Sequence, residues 1–290
     1  MDVLKKLAVH IFGGKTIRRF MRHRAARTGG IVLLSEAFFL IVLPLVANLD
    51  PYEFHVDAIN HAPNAQFLFG TDELGRDMFA RVIYGGRVSL FIGIASNVVG
   101  LVIGLPLGLL AGYYRGFCEM LVMRATEVFM SVPSMIFTIV LAALFQPTIP
   151  VIIVIIGVFF WTGYARIIYT NVLSVRSREY VEAARTIGSK NGVIMFRDIL
   201  PNVIAPVWIV FSGSIAQAIL MEATLSYIGV GIKAPQPSLG SIIYSAQSLV
   251  VMTQRIWIWI PAGALLIITV IAANLLGDGI RDVLDPNYTI

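Results

Sequence analysis

Residues 149–169 read IPVIIVIIGVFFWTGYARIIY, and the stretch that follows, 171–201, reads NVLSVRSREYVEAARTIGSKNGVIMFRDILP. The first is an apolar run broken by one charge, Arg166, and is long enough to cross a bilayer core, which takes about 20 residues. The second is polar and rich in charge. Because lipid offers no partners for a bare backbone, a spanning run of this length has to be a helix. The pair therefore reads as a transmembrane helix delivering the chain into a structured aqueous loop.

Five further segments meet the same length test. They are Gly29–Leu49, Val88 to about Tyr114, a segment from near Glu119 through Pro133 to about Phe145, Val203 to about Ile228, and about Ile256 to Leu276. Composition agrees: 57% of residues are apolar, 13% are charged and mean hydropathy is +0.81. A soluble domain carries about a quarter charged residues. The fold expected is an all-α membrane protein of six transmembrane helices.

Lysine and arginine set the orientation. Eight basic residues, Lys5 to Arg27, precede the first span. With the N-terminus inside, 17 of the 22 lysines and arginines fall on the cytoplasmic side and five, Arg76, Arg81, Arg87, Lys233 and Arg255, fall outside. Both termini are then cytoplasmic. The expected organisation is a basic tail 1–28, a retained first helix 29–49, an exterior loop 50–86, a core 87–280 containing the cytoplasmic loop 171–201, and a tail 281–290. The net charge of +5 sits in the juxtamembrane tail, which suits anionic lipid and not nucleic acid. The single cysteine, Cys118, allows no internal disulfide.

Within the loop, Tyr180, Val181, Ala184 and Ile187 share a helical face. Gly188 stands where a left-handed residue would end that helix, and Ser189 is placed to cap a second one carrying Val193, Phe196 and Leu200 up to Pro201. A helix-glycine-helix element on the membrane surface is either a handle by which a partner moves the attached spans or a brace for its own subunit.

The spacing Glu182-Ala183-Ala184, three residues, Gly188, ten residues, Ile199-Leu200-Pro201 resembles the EAA loop of binding-protein-dependent transport permeases. Asp198 departs from that pattern, which often has an apolar residue there. Residues 69–77, FGTDELGRD, and 274–286, NLLGDGIRDVLDP, with 223–231, ATLSYIGVG, are similar to the second permease of dipeptide, oligopeptide and nickel importers. The resemblance implies the type I importer permease fold in the bacterial inner membrane. It implies that Glu182, Ala183, Ala184, Gly188, Leu200 and Pro201 form a coupling helix that docks in a cytoplasmic ATPase. It further implies a homologous permease partner, two ATPase subunits that use ATP and Mg, and an exterior binding protein. The cargo it implies is di- or oligopeptide, with nickel chelates, glutathione or another small solute as alternatives.

No catalytic residue, bound cofactor or metal site is expected in the chain itself. Gly13-Gly14-Lys15-Thr16 lacks the glycine a phosphate loop needs, Val9 standing in its place. Neither Asp72, Glu73 and Asp77 nor His55 and His61 have metal-site spacing. Arg124 and Glu127 are expected to pair along one helix. Glu36 is expected to snorkel or meet a basic residue. Glu222, with Gln217 and Ser226 on the same span, is the candidate gate or pathway group, since buried carboxylates in membranes carry function. Gly100, Gly104 and Gly108 form a small-residue ladder for close helix packing. An ion-coupled secondary transporter would show more spans and internal repeats; an intramembrane enzyme would show HExxH, GxSxG or paired aspartates.

Overall fold

The computed structural model describes residues 19–284, and among these there are helices and no strand. The calls on the glycine-rich stretch 13–16 and on residues 285–290 lie outside them. Five helices are long and apolar enough to span: α1 (Arg24–Val46), α2 (Met78–Tyr114), α5 (Ile149–Arg176), the continuous segment Asn191–Ile228 that ends in α7 (Leu200–Ile228), and α10 (Ile260–Leu284). Between α2 and α5 lie α3 (Gly116–Ser131) and α4 (Ser134–Leu144), bent by 85° at Val132 and Pro133. Short helices among the described residues include α6 (Glu179–Thr186), α8 (Leu239–Tyr244) and α9 (Leu249–Gln254).

The bend follows from Pro133. Its ring disfavours helical backbone in the preceding residue, and Val132 is extended at φ −96, ψ 130. Whether α3 and α4 make one crossing is decided by what flanks them. A Cβ on Gly100, Gly104 or Gly108 would lie 2.5–2.8 Å from Phe160, Trp161 or Ala165, respectively. The contacts advance together, so α2 and α5 run parallel, with Tyr164 donating to Asn97 between them at 2.9 Å. Two parallel neighbours start on the same membrane face. The chain between them must return across, and α3–α4 is that sixth crossing.

Two other close approaches are antiparallel. Gly93 of α2 meets Ile219 of α7, and Gly29 of α1 approaches the backbone of Leu276 in α10. All six crossings alternate, and the described ends of the chain share a face.

Helix ends differ from the apolar runs. α2 begins at Met78, ten residues before Val88, because Asp77 caps it, accepting from the Phe79 amide at 2.9 Å. Burial raises the Asp77 carboxyl pKa, and that amide hydrogen bond opposes the rise. Residues 78–87 are helical but include Arg81 and Arg87, so they stand proud of the lipid. Likewise α5 runs to Arg176, inside the expected loop, and α10 runs to Leu284, into the expected tail. Glu36 is a correction: it is buried against α10, where the Thr269 hydroxyl donates to it, and among the described residues it makes no ion pair. It faces a neighbouring helix, so the route to the interface is closed.

Candidate coupling and gating sites

α6 has the acids Glu179 and Glu182 in its first turn and Arg185 in its last, matching the helix dipole. It ends in a Schellman arrangement. The Gly188 amide donates to the Arg185 carbonyl at 3.0 Å and the Ser189 amide to Ala184 at 3.1 Å, with Gly188 at φ +77. Ser189 therefore closes the first helix and caps no second one. Lys190 precedes the next turn without a side-chain cap, and a π-helical turn, Ile194–Ile199, leads straight into α7. Pro201 follows at once, and with no N–H it can donate no bond back into the π turn.

The expected apolar face of α6 divides. Val181 is fully buried and Ala184 half-buried, while Ile187 is 81% exposed and Tyr180 46%. Glu182, Ala183 and Gly188 are exposed as well, and a Cβ on Gly188 would meet nothing within 4 Å. Exposed Phe196 and Val193 continue the apolar surface beyond the glycine. Leu200 is buried in the opposite direction, in one core with Val181, Leu109, Val172 and Val203. The element thus has a root in three spans and an uncovered outer surface.

Tyr113, in the last turn of α2, was not singled out in the sequence. It is 4% exposed, donates to Asn191 Oδ1 at 2.8 Å, and carries the Arg185 guanidinium 5.1 Å above its ring. It ties both halves of the loop to α2. Only an aromatic at a span end hinted at this, and such residues are common at interfaces.

At the other end, Glu222 is fully buried. Its oxygens accept from Ser89 of α2 and Ser226 of α7, each at 2.8 Å. Ser89 also accepts from the Leu239 amide at 3.3 Å, and Ser238 lies 3.4 Å from Ser226 while capping α8. The carboxylate joins α2, α7 and α8. Gln217 is not part of this group. Five positions from Glu222, it points about 140° away around the helix and is exposed.

Above Ser226 opens an exterior cavity of about 710 Å³, bounded by the 60–81 segment, the outer end of α7, α8, α9 and Arg255. Asp72 organises its wall. It accepts from the amides of Leu74 and Arg76 at 2.9 Å, and pairs with Arg76 at 2.7 Å and Arg81 at 3.7 Å. It is used up in folding the loop, and no cluster of three metal-ligating residues occurs among the described residues. Arg124 and Glu127 pair at 2.7 Å on the exposed side of α3.

Residues 104–290 match the family of the binding-protein-dependent transport system inner membrane component, and residues 12–63 match the N-terminal transmembrane domain of oligopeptide transport permease C. A putative peptide transport system permease protein of Brucella abortus is 38% identical over 93% of this chain and 90% of its own length. The glutathione transport system permease protein GsiD of Pectobacterium atrosepticum is 36% identical over 93% and 89%. Among solved structures, the inward-facing MetNI methionine ABC transporter superposes with a TM-score of 0.58 at 21% identity, covering 71% of this chain and 97% of that one, a likeness of fold. Shared helices, a surface Glu-Ala-Ala element rooted in them and relatives spanning nearly the whole chain converge: this chain belongs to the binding-protein-dependent ABC importer permeases of the bacterial inner membrane.

Proposed function

We propose that the chain forms half of a translocation pathway with a homologous permease, that two cytoplasmic ATPases grip the α6 elements, and that the cargo is short peptides delivered by an exterior binding protein. Family membership implies ATPase partners and a substrate-binding protein. The observation that carries the coupling role is the α6 surface itself. Ile187, Tyr180 and Phe196 are large apolar groups left uncovered beside a buried root, and an apolar patch on a polar loop outside the spans suits an interface. The subunit has no catalytic chemistry of its own in this scheme. ATP and Mg act in the partners, and nucleotide binding drives the switch by favouring one of two global states.

Peptide cargo is supported by the Brucella relative's name and by the oligopeptide permease match; the GsiD relative supports glutathione, itself a small peptide.

The test uses the complete importer in liposomes. Glu182→Lys and Gly188→Leu are expected to insert and assemble normally, because Glu182 is exposed and Gly188 has open space around it. The left-handed backbone at Gly188 costs a side chain about 1–2 kcal/mol, not enough to unfold the chain. Stimulation of ATPase activity by loaded binding protein is expected to fall at least about fivefold, the lower end of typical coupling energies. Normal stimulation in both variants would overturn the assignment.

Tyr113→Phe removes one hydrogen bond and keeps the ring under Arg185. It is expected to lower stability by about 1 kcal/mol and to reduce cargo moved per ATP hydrolysed while ATPase stimulation stays near normal. A transport-to-hydrolysis ratio equal to the parent's would show that Tyr113 only braces the loop.

A further inference from the structure

The exterior cavity contains charges that the fold does not use. In its wall Asp72 pairs with both Arg76 and Arg81, which leaves that group with net positive charge. Lys233 and Arg255 also line it, from the loop after α7 and from the residue after α9, and neither has a carboxylate within ion-pair distance among the described residues. Lys233 is exposed and Arg255 half-buried. Glu73 is the unpaired acid on the same lining. The rest of the wall mixes amide and hydroxyl groups, such as Gln236 and Ser248, with apolar ones, such as Ile232 and Val251. A volume of about 710 Å³ lies within the range of small-ligand pockets, about 300–1,000 Å³. The floor is Ser226, which is bonded to Glu222.

Two unpaired cations, one acid and a mixed polar and apolar wall suit a small zwitterion whose anionic end is its more strongly held one. We propose that this cavity is a reception site for the free α-carboxylate of the peptide, held by Arg255 and Lys233, as it passes from the binding protein towards the helices. The proposal rests on the peptide-import reading. Guanidinium and ammonium groups bind a carboxylate with charge-assisted hydrogen bonds, about twice as strong as neutral ones. An amidated C-terminus presents a neutral carbonyl and would lose that advantage.

The experiment measures uptake of trialanine and of trialanine amide by the complete importer with its binding protein in liposomes. Each variant is expressed relative to the parent for the same peptide, which cancels the binding protein's own preference. Arg255→Gln combined with Lys233→Gln is expected to reduce trialanine uptake about tenfold and to leave trialanine amide uptake within about twofold of the parent. ATPase stimulation by loaded binding protein should be retained. Arg255→Lys with Lys233 intact is expected to recover most of the acid uptake. An equal fall for both peptides would mean that these residues dock the binding protein or the partner permease, and would overturn the proposal. So would no change for either peptide. A parent importer that takes up neither peptide would instead defeat the peptide-import reading, and this proposal with it.

Discussion

Gly104→Leu is expected to leave almost no folded permease in the membrane. A Cβ at that position would lie 2.5 Å from the Trp161 carbonyl oxygen and 2.6 Å from the Tyr164 Cβ. The first of these is backbone of α5 and cannot swing aside, so the helices must separate. Overpacking of this kind costs typically 1–3 kcal/mol when side chains can adjust, and more when they cannot. Separation would also break the buried hydrogen bond from Tyr164 to Asn97. A matched pair isolates the cause. Glycine to alanine in a helix is intrinsically favourable by about 1 kcal/mol. Gly163 of α5 has nothing within 4 Å of its would-be Cβ, so Gly163→Ala should hold or raise the melting temperature in detergent. Gly104→Ala should lower it. Equal melting temperatures for the two alanine variants would show that α2 and α5 are not packed as described.

Glu222 gives the second large effect. Replacing it with leucine removes the acceptor for the Ser89 and Ser226 hydroxyls and cuts the bond joining α2 to α7. Hydroxyls left without partners in a buried site cost about 1–3 kcal/mol each, less where they turn back to the helix carbonyl four residues earlier. Glu222→Leu is therefore expected to destabilise the permease by about 2–4 kcal/mol and to cut transport by tenfold or more. Glu222→Gln has the same shape and can both accept from one serine and donate to the other, since hydroxyls do both. It should stay near the parent in stability and uptake. If the glutamine variant were as damaged as the leucine one, negative charge at this position would be essential, and the role of a structural tie would fall.

Much of the fold was legible because lipid imposes a length. Each apolar run of about 20 residues became a crossing, and Pro133 was visible as a break. The helix limits were not, since a run marks where hydrocarbon begins and a helix such as α2 continues through polar residues until a cap such as Asp77 ends it. The glycine ladder announced a close neighbour without naming it; only the packing showed α5 alongside in parallel. At the sites, Glu182-Ala183-Ala184 and Gly188 could be read because their pattern is local. One partner of Glu222, Ser89, lies far off in the chain, and the Tyr113 joint depends on Asn191 meeting α2 in space. Glu36 misled for the same reason: a rule for lipid-facing charges fails when the residue turns towards another helix.

The parallel pairing of α2 with α5 also bears on how the protein is made. The glycine-lined surface of α2 is complete when Tyr114 has been synthesised, yet its mate is not finished until Arg176. At 5–20 residues per second that interval is about 3–12 s. Within it the bent α3–α4 crossing is made and returns across the bilayer, while a long, glycine-faced helix waits unmatched. Packing of the α2 face against α5 is therefore a late event in the making of this permease, set by chain order.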